Sequence, residues 1–219
     1  MSTSVKICGL STPETMEAAL KAGADMVGLV FFAKSPRHVT LETARELAAR
    51  ARQRAEVVAL TVDADDAALD AIVRALEPEY LQLHGRETPE RVGEIQRKFG
   101  VSAIKALGVA EAADFAQADA YTAADALLID AKPPKGAALP GGNGVAFDWR
   151  LARGFAPRKP WMLSGGLDAG NVGEAIRLSL ARSVDVSSGV ESAPGVKDAA
   201  RIYAFIDAAR AGFEAADAQ

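Results

Sequence analysis

Short apolar, β-branched runs recur along the 219-residue chain at Val5–Cys8, Met26–Phe32, Val57–Val62, Tyr80–His84, Ala103–Leu107, Ala126–Asp130, Trp161–Ser164 and Val184–Ser187. Runs of this length and composition read as strands. Between them, stretches with the periodicity of an amphipathic helix begin near Pro13, Leu41, Asp65, Pro89, Glu111, Asp148, Ala169 and Lys197. Thr12, Thr40, Thr88 and Asp168 stand where a capping side chain belongs. Eight such pairs leave about 27 residues per unit, near the minimum for a strand, a helix and two connections. The pattern predicts an α/β fold, a single-domain (β/α)8 TIM barrel over residues 1–219 with a frayed tail at 212–219. A doubly wound open sheet is the alternative, but Gly9-Leu10-Ser11-Thr12 after the first run lacks the phosphate-binding glycine fingerprint of that fold.

The period-2 rule assigns alternate side chains of each strand to the lumen and to the helices. Placing Val5 and Ile7 toward the helices leaves Lys6 and Cys8 inward, and Leu81 and Leu83 leave Gln82 and His84. By the same phase Asp130 faces inward, as do Asp185 and Ser187. Lys6, Lys105 and Asp185 fall deeper than the strand ends, and buried charges must pair, so an internal Lys/Asp network is expected below the mouth. An ammonium near Cys8 is expected to favour its thiolate.

Composition narrows the function class. A formal net charge of -4, 6% aromatic residues and the lack of a dense Lys/Arg block argue against a nucleic-acid surface and favour a small-molecule partner. A single cysteine allows no internal disulfide, and Met1-Ser2-Thr3-Ser4 does not resemble a signal peptide, so the cytoplasm is the expected compartment. The longest apolar run, Met26 to Ala33, falls well short of the roughly 20 residues that cross a bilayer, so no membrane span is expected. No long exposed apolar helix face stands out, and a monomer is expected.

Barrel enzymes build their sites at the C-terminal ends of the strands, where this chain places Cys8, Asp63, His84 and Asp130. Cys8 is either a small buried hydrophobe or a thiol usable as nucleophile or base. Asp130 closes an otherwise apolar strand, a setting that suits a general acid, or it caps the loop. Asp63, ahead of Asp65 and Asp66, reads as a helix-start residue. His84 is open between a structural and a ligand-contacting role. Glycine clusters follow the last three strands, at Pro140-Gly141-Gly142-Asn143-Gly144, Ser164-Gly165-Gly166-Leu167 and Ser187-Ser188-Gly189-Val190-Glu191. The loops after strands seven and eight of a barrel commonly hold phosphate. Arg37, in Lys34-Ser35-Pro36-Arg37-His38 after the second strand, offers a fork that suits a carboxylate, which together with the phosphate loops implies a substrate anionic at both ends.

Taken in order, Lys6-Ile7-Cys8-Gly9-Leu10, Ser35-Pro36-Arg37, Leu81-Gln82-Leu83-His84-Gly85, Asp130, Gly141-Gly142, Phe147-Asp148-Trp149, Ser164-Gly165-Gly166-Leu167 and Asp185-Val186-Ser187-Ser188-Gly189-Val190-Glu191 resemble the phosphoribosylanthranilate isomerase family of tryptophan biosynthesis. Asn143 departs from the threonine usual in that family's glycine turn. The resemblance implies a cofactor-free and metal-free Amadori rearrangement of N-(5′-phosphoribosyl)anthranilate to 1-(2-carboxyphenylamino)-1-deoxyribulose 5-phosphate. It assigns Asp130 as general acid and Cys8 as general base, Arg37 to the anthranilate carboxylate, and the backbone around Gly142, Gly165, Gly166, Ser188 and Gly189 to the phosphate. His84 matches the motif as a substrate contact whose role stays open. Two alternatives compete: a histidine-pathway phosphoribosyl isomerase or its bifunctional relative, and a phosphate-binding barrel without catalysis. An aspartate would end the first strand of the former, where this chain has Cys8, and the presence of both Cys8 and Asp130 argues against the latter.

Overall fold

The computed structural model describes residues 3–132, 136, 141, 142, 144 and 146–218. Its strands are β1 (Ser4–Cys8), β2 (Met26–Phe31), β3 (Glu56–Thr61), β4 (Tyr80–Leu83), β5 (Ser102–Val109), β6 (Ala126–Ala131), β7 (Trp161–Leu163) and β8 (Ser183–Val186). All pair in parallel with their sequence neighbours, and β8 pairs with β1, closing the barrel. Each expected strand is present within a residue or two of its predicted bounds.

The outer ring comprises α1 (Pro13–Lys21), α2 (Leu41–Ala51), α3 (Asp66–Leu76), α4 (Pro89–Phe99), α5 (Val172–Ser179) and α6 (Ala199–Asp217). Thr12, Thr40, Asp65, Thr88 and Asp198 each accept the backbone N–H three residues on, satisfying a donor that the first helical turn leaves unpaired. Four outer segments differ from expectation. The segments after β5 and β6 are 3-10 helices, Ala112–Ala120 and Trp149–Ala152. The helix expected from Ala169 begins at Val172, because the Asp168 carboxylate accepts the N–H groups of Gly170 and Asn171 and so builds a turn rather than a cap. Lys197 belongs to a small hairpin, β9 (Glu191–Ala193) with β10 (Val196–Lys197), that precedes α6. The end of the chain is also helical where a frayed tail is expected: α6 continues through Gly212 to Asp217, with Phe213 buried and Asp217 ion-paired to Arg182.

Strand phase divides the interior. Val5, Ile7, Val27, Leu29, Leu81, Leu83, Leu127, Ile129, Val184 and Val186 lie in the layer between sheet and helices. The lumen holds two further apolar clusters, Val58, Ile104, Ala106, Leu128 and Met162 in one, and Cys8, Val30 and Leu60 in the other. The phase of β5 is the opposite of the one expected for Lys105: Ala103 and Leu107 pack toward the helices while Ile104 and Ala106 fill the lumen, so Lys105 points outward.

A repeated device fixes the N-terminal ends of the strands. Asp25, Glu79 and Asp125 stand just ahead of β2, β4 and β6. Each donates its N–H to the carbonyl of Val5, Val57 or Ala103 at 2.9–3.0 Å. Their carboxylates accept the N–H of those same three residues at 2.6–2.7 Å. Alternate strands are thus gripped by two hydrogen bonds, one of them charge-assisted. Removing a carboxylate orphans a half-buried N–H, so Asp25→Ala, Glu79→Ala and Asp125→Ala are each expected to destabilise the barrel by about 1–3 kcal/mol in urea unfolding. A stability change under about 0.5 kcal/mol in all three would show the grip to be dispensable.

Candidate active site

At the C-terminal ends of the strands lies a cleft of about 800 Å³, counting its space open to solvent, into which Cys8, Arg37, His84, Asp130, Gly142 and Ser188 all face. The lumen phase of β1 brings Lys6 and Cys8 to the same side, with Cys8 above. Register then does the pairing: Lys6 lies beside Asp185 of β8, and its Nζ donates to Asp185 Oδ1 at 2.8 Å with both side chains buried. Asp185 Oδ2 accepts the Ser164 hydroxyl from the end of β7 at 3.1 Å. The expected Lys6–Asp185 pair is therefore present, whereas Lys105 forms a separate pair with Glu87 at 2.7 Å and also donates to the carbonyls of Leu83 and Gly85. Glu87 was not singled out from sequence. The only signal for it was the general need of a buried ammonium for a partner.

Cys8 is almost fully buried, and Gly28, its register partner on β2, makes room for it: a Cβ there would stand 2.8 Å from Sγ. Burial pushes the Cys8 thiol above its ordinary pKa, opposed by Lys6 and Lys197 and reinforced by Asp185. Lys6 does act in the expected direction, favouring the thiolate, but burial outweighs it and Asp185 adds to burial, so the net shift is upward. For Lys6 burial acts downward, but Asp185 and the thiol outweigh it and hold its pKa above the ordinary lysine value. The folded state thus keeps the Lys6 proton more tightly than the unfolded chain does. The pair's contribution is complete at neutral pH and is lost as pH rises through that raised value.

Asp130, at the end of β6, turns Oδ1 to the N–H of Ala131 at 2.8 Å and Oδ2 to His84 Nε2 at 3.3 Å. His84 thus sits against the candidate acid, and its Nδ1 meets the Gln82 amide nitrogen at 3.0 Å. Asp63 has a turn role, not a capping one. It lies at φ 49°, accepts the Arg86 N–H and donates its own N–H to Glu87, while Asp65 caps α3.

Arg37 is buried with its Nε and Nη2 edge already on a carboxylate, Glu191 of β9, at 2.6 and 2.9 Å. Lys197 of β10 donates to the same carboxylate at 2.8 Å and to the Ser187 carbonyl at 2.8 Å. Burial acts to raise the Glu191 pKa, but Arg37 and Lys197 outweigh it and hold it low. For Lys197, burial dominates and lowers it. The Nη1 edge of Arg37 lies against Gly142, whose carbonyl Nη2 also approaches at 3.4 Å.

Of the glycine-loop residues, Gly142, Gly165, Gly166 and Ser188 line the cleft. Gly165, at φ 90°, must be glycine: a Cβ would stand 2.7 Å from the Ala131 nitrogen. Gly189 does not line the cleft. It packs against the Leu167 backbone, joining the loop after β8 to the loop after β7. Asn143 lies outside the described residues. Among the described residues no group of three or more His, Cys, Asp or Glu side chains is arranged to hold a metal ion, and no helix is long and apolar enough to cross a membrane.

Residues 5–208 match the sequence model of N-(5′-phosphoribosyl)anthranilate isomerase. A protein of that name from Nitrobacter hamburgensis is 61% identical over 212 residues, covering 96% of this chain and 94% of its own. A solved phosphoribosyl anthranilate isomerase in complex with reduced 1-(o-carboxyphenylamino)-1-deoxyribulose 5-phosphate superposes with a TM-score of 0.83 at 32% identity, covering 95% of this chain and 99% of its own. A structure of monomers generated from the dimeric Thermotoga maritima enzyme gives a TM-score of 0.82 at 33% identity over the same shares.

Two outcomes follow from the buried charges. Lys6→Met strands Asp185 without its partner and should cost about 3–5 kcal/mol in unfolding free energy, much of it recovered in the Lys6→Met/Asp185→Leu double variant; a single variant as stable as the parent would contradict the pairing. Alkylation of Cys8 by iodoacetamide, followed by mass, should climb with pH through neutrality and on past the range of an ordinary thiol. A rate that levels off below that range would show the thiol to be lowered, not raised.

Proposed function

This chain belongs to the N-(5′-phosphoribosyl)anthranilate isomerase family, and we propose that it performs the family's reaction of tryptophan biosynthesis with Asp130 as general acid and Cys8 as general base. The observation that carries the assignment is the placing of one carboxyl group and one thiol, on the non-adjacent strands β6 and β1, in a single cleft walled by the glycine loops after β7 and β8.

The rearrangement needs a proton delivered to one part of a sugar and another removed nearby. The Asp130 carboxyl group gives its proton to the furanose ring oxygen. The C1′–O bond breaks with its electron pair going to that oxygen, and the anilino nitrogen lone pair forms a C=N bond, giving a protonated Schiff base. The Cys8 thiolate then takes the C2′ proton; the C–H pair forms a C1′=C2′ bond, and the C=N pair returns to nitrogen as an enolamine. Loss of the 2′-hydroxyl proton and addition of one at C1′ yield the ketone. Asp130 has lost one proton and Cys8 has gained one, so returning that proton from thiol to carboxylate resets the site. Every step moves protons and electron pairs within one molecule, and no redox partner enters the balance.

A raised thiol pKa suits this cycle, because a more basic thiolate is a stronger acceptor for a carbon-bound proton. In this reading the substrate phosphate lies against Gly165, Gly166 and Ser188, with Gly189 bracing that loop from behind. The carboxylate lies at the Nη1 edge of Arg37, which Glu191 holds in a fixed plane. Both reacting groups and both anion contacts come from one chain, so a monomer is a complete catalytic unit, and the cytoplasm is the compartment assigned to it. A relative from Thermotoga maritima is dimeric.

The assay is the loss of anthranilate-type fluorescence when the purified protein meets freshly prepared N-(5′-phosphoribosyl)anthranilate. Cys8→Ala and Asp130→Asn should each lower kcat by at least ~10²-fold, the usual worth of a positioned acid or base, while Arg37→Ala should act mainly on KM. Near-normal turnover in either of the first two would overturn the role given to that residue, and an unchanged KM in the third would remove Arg37 from the carboxylate site.

A further inference from the structure

Gln82 is fully buried in the lumen phase of β4, and its amide oxygen has no hydrogen-bond partner, although its amide nitrogen meets His84 Nδ1 at 3.0 Å. A buried amide with one unpartnered end is costly unless that end is used at some stage. Its surroundings show how.

The imidazole of His84 is bracketed, with Gln82 at Nδ1 and Asp130 Oδ2 at Nε2. When the Gln82 NH2 group faces Nδ1, that nitrogen must accept, the ring proton must sit on Nε2, and Nε2–H donates to an ionised Asp130. If the amide turns by 180°, its oxygen accepts from Nδ1–H. Nε2 then carries a lone pair that accepts from a protonated Asp130. Each orientation leaves one amide end unpartnered, so no other hydrogen bond is lost in passing between them. The backbone beneath is held rigid: Lys105 donates to the carbonyls of Leu83 and Gly85, on either side of His84, and Glu87 accepts the Gly85 N–H. Gly141 closes the other side, where a Cβ would stand 2.7 Å from Asp130 Oδ2.

We propose that Gln82 is a positioning residue for the isomerisation, its amide setting the tautomer of His84 so that the ring matches Asp130 both when it carries the proton and after it has given the proton up. The two amide orientations correspond to the loaded and spent states of the acid. This rests on the reading of Asp130 as the general acid. Gln82 acts only through His84 and needs no contact with the substrate.

The chain has two histidines, and His38 is exposed, so the ring nitrogens of [15N]histidine-labelled protein separate His84 from a solvent-averaged companion by NMR. With Asp130 ionised, His84 is expected as a single neutral tautomer protonated at Nε2. Gln82→Glu presents only acceptors and should place on Nδ1 a proton that the wild-type ring lacks there. It should also lower kcat by at least about tenfold, part of the 10²–10⁴ that a positioned acid contributes, with KM within about twofold. Should the buried carboxylate prevent folding, Gln82→Leu serves instead: His84 loses its single tautomer and kcat falls likewise. Wild-type His84 averaging like His38, a variant keeping the wild-type tautomer, or an unchanged kcat would each overturn the proposal. Asp130→Asn, assayed beside them, separates it from its premise: near-normal turnover there removes the acid assignment whatever Gln82 does to the ring.

Discussion

The ammonium of Lys6, wholly buried in the lumen, sets the terms for much of this structure. A buried charge without a partner is among the costliest features a fold can carry, and the partner available is Asp185 on the strand that closes the barrel. Satisfying Lys6 therefore also fixes the register of β1 against β8, since Lys6 and Asp185 are direct register partners. Through the Ser164 hydroxyl the same carboxylate reaches the end of β7, from which the Gly165-Gly166 loop departs. One ion pair thus joins barrel closure, the floor beneath Cys8 and the root of a glycine loop that lines the cleft.

The same arrangement recurs behind two other side chains that face the cleft. Lys105 and Glu87 hold the turn that carries His84, and Lys197 with Glu191 holds the guanidinium of Arg37. Three buried lysines each meet a buried carboxylate directly behind a group that faces the cleft. Such pairs contribute little net stability compared with apolar packing, because desolvation offsets much of the Coulomb attraction. What they provide is direction. Arg37 held bidentate by Glu191 has one edge fixed and the other aimed at the cleft, which removes side-chain freedom in advance of any contact made there.

How much of this was legible in the sequence followed from which rule applied. Alternation gave all eight strands and the inward phase of Lys6, Cys8, Gln82, His84, Asp130 and Asp185, because a β-strand has a fixed period of two and the apolar residues of those runs left little choice. It failed for Lys105: the run Ala103-Ile104-Lys105-Ala106-Leu107 is apolar on both phases, and β5 sits in the opposite one. The outer segments after β5 and β6 read as ordinary helices, since composition does not separate a 3-10 helix from an α-helix. Glu87 and the pairing of Glu191 with Arg37 were not legible because Glu87 lies in the loop after β4 and Glu191 in the hairpin before α6, outside the barrel strands that alternation reads. The thiol's shift was misjudged because a neighbouring ammonium is visible in the sequence, whereas the depth of burial that outweighs it is not. Family likeness supplied the roles proposed for Cys8 and Asp130, which alternation could place but not distinguish.

The opposite mouth of the barrel shows why chemistry, not empty volume, locates the site. It opens into a wider space, about 2500 Å³ counting solvent, rimmed by Asp25, Glu79 and Asp125. Those carboxylates are already spent on the N–H groups of β1, β3 and β5, and the apolar lumen cluster of Val58, Ile104, Leu128 and Met162 lies in the barrel beside them. At the C-terminal mouth the strands end instead on groups with capacity left over: a thiol, a carboxyl group bracketed by a histidine, and glycine loops lining the cleft. The fold separates the two demands by giving stability to one end of each strand and reactivity to the other. The Lys6–Asp185 pair stands between them as the last fully neutralised charge below the cleft.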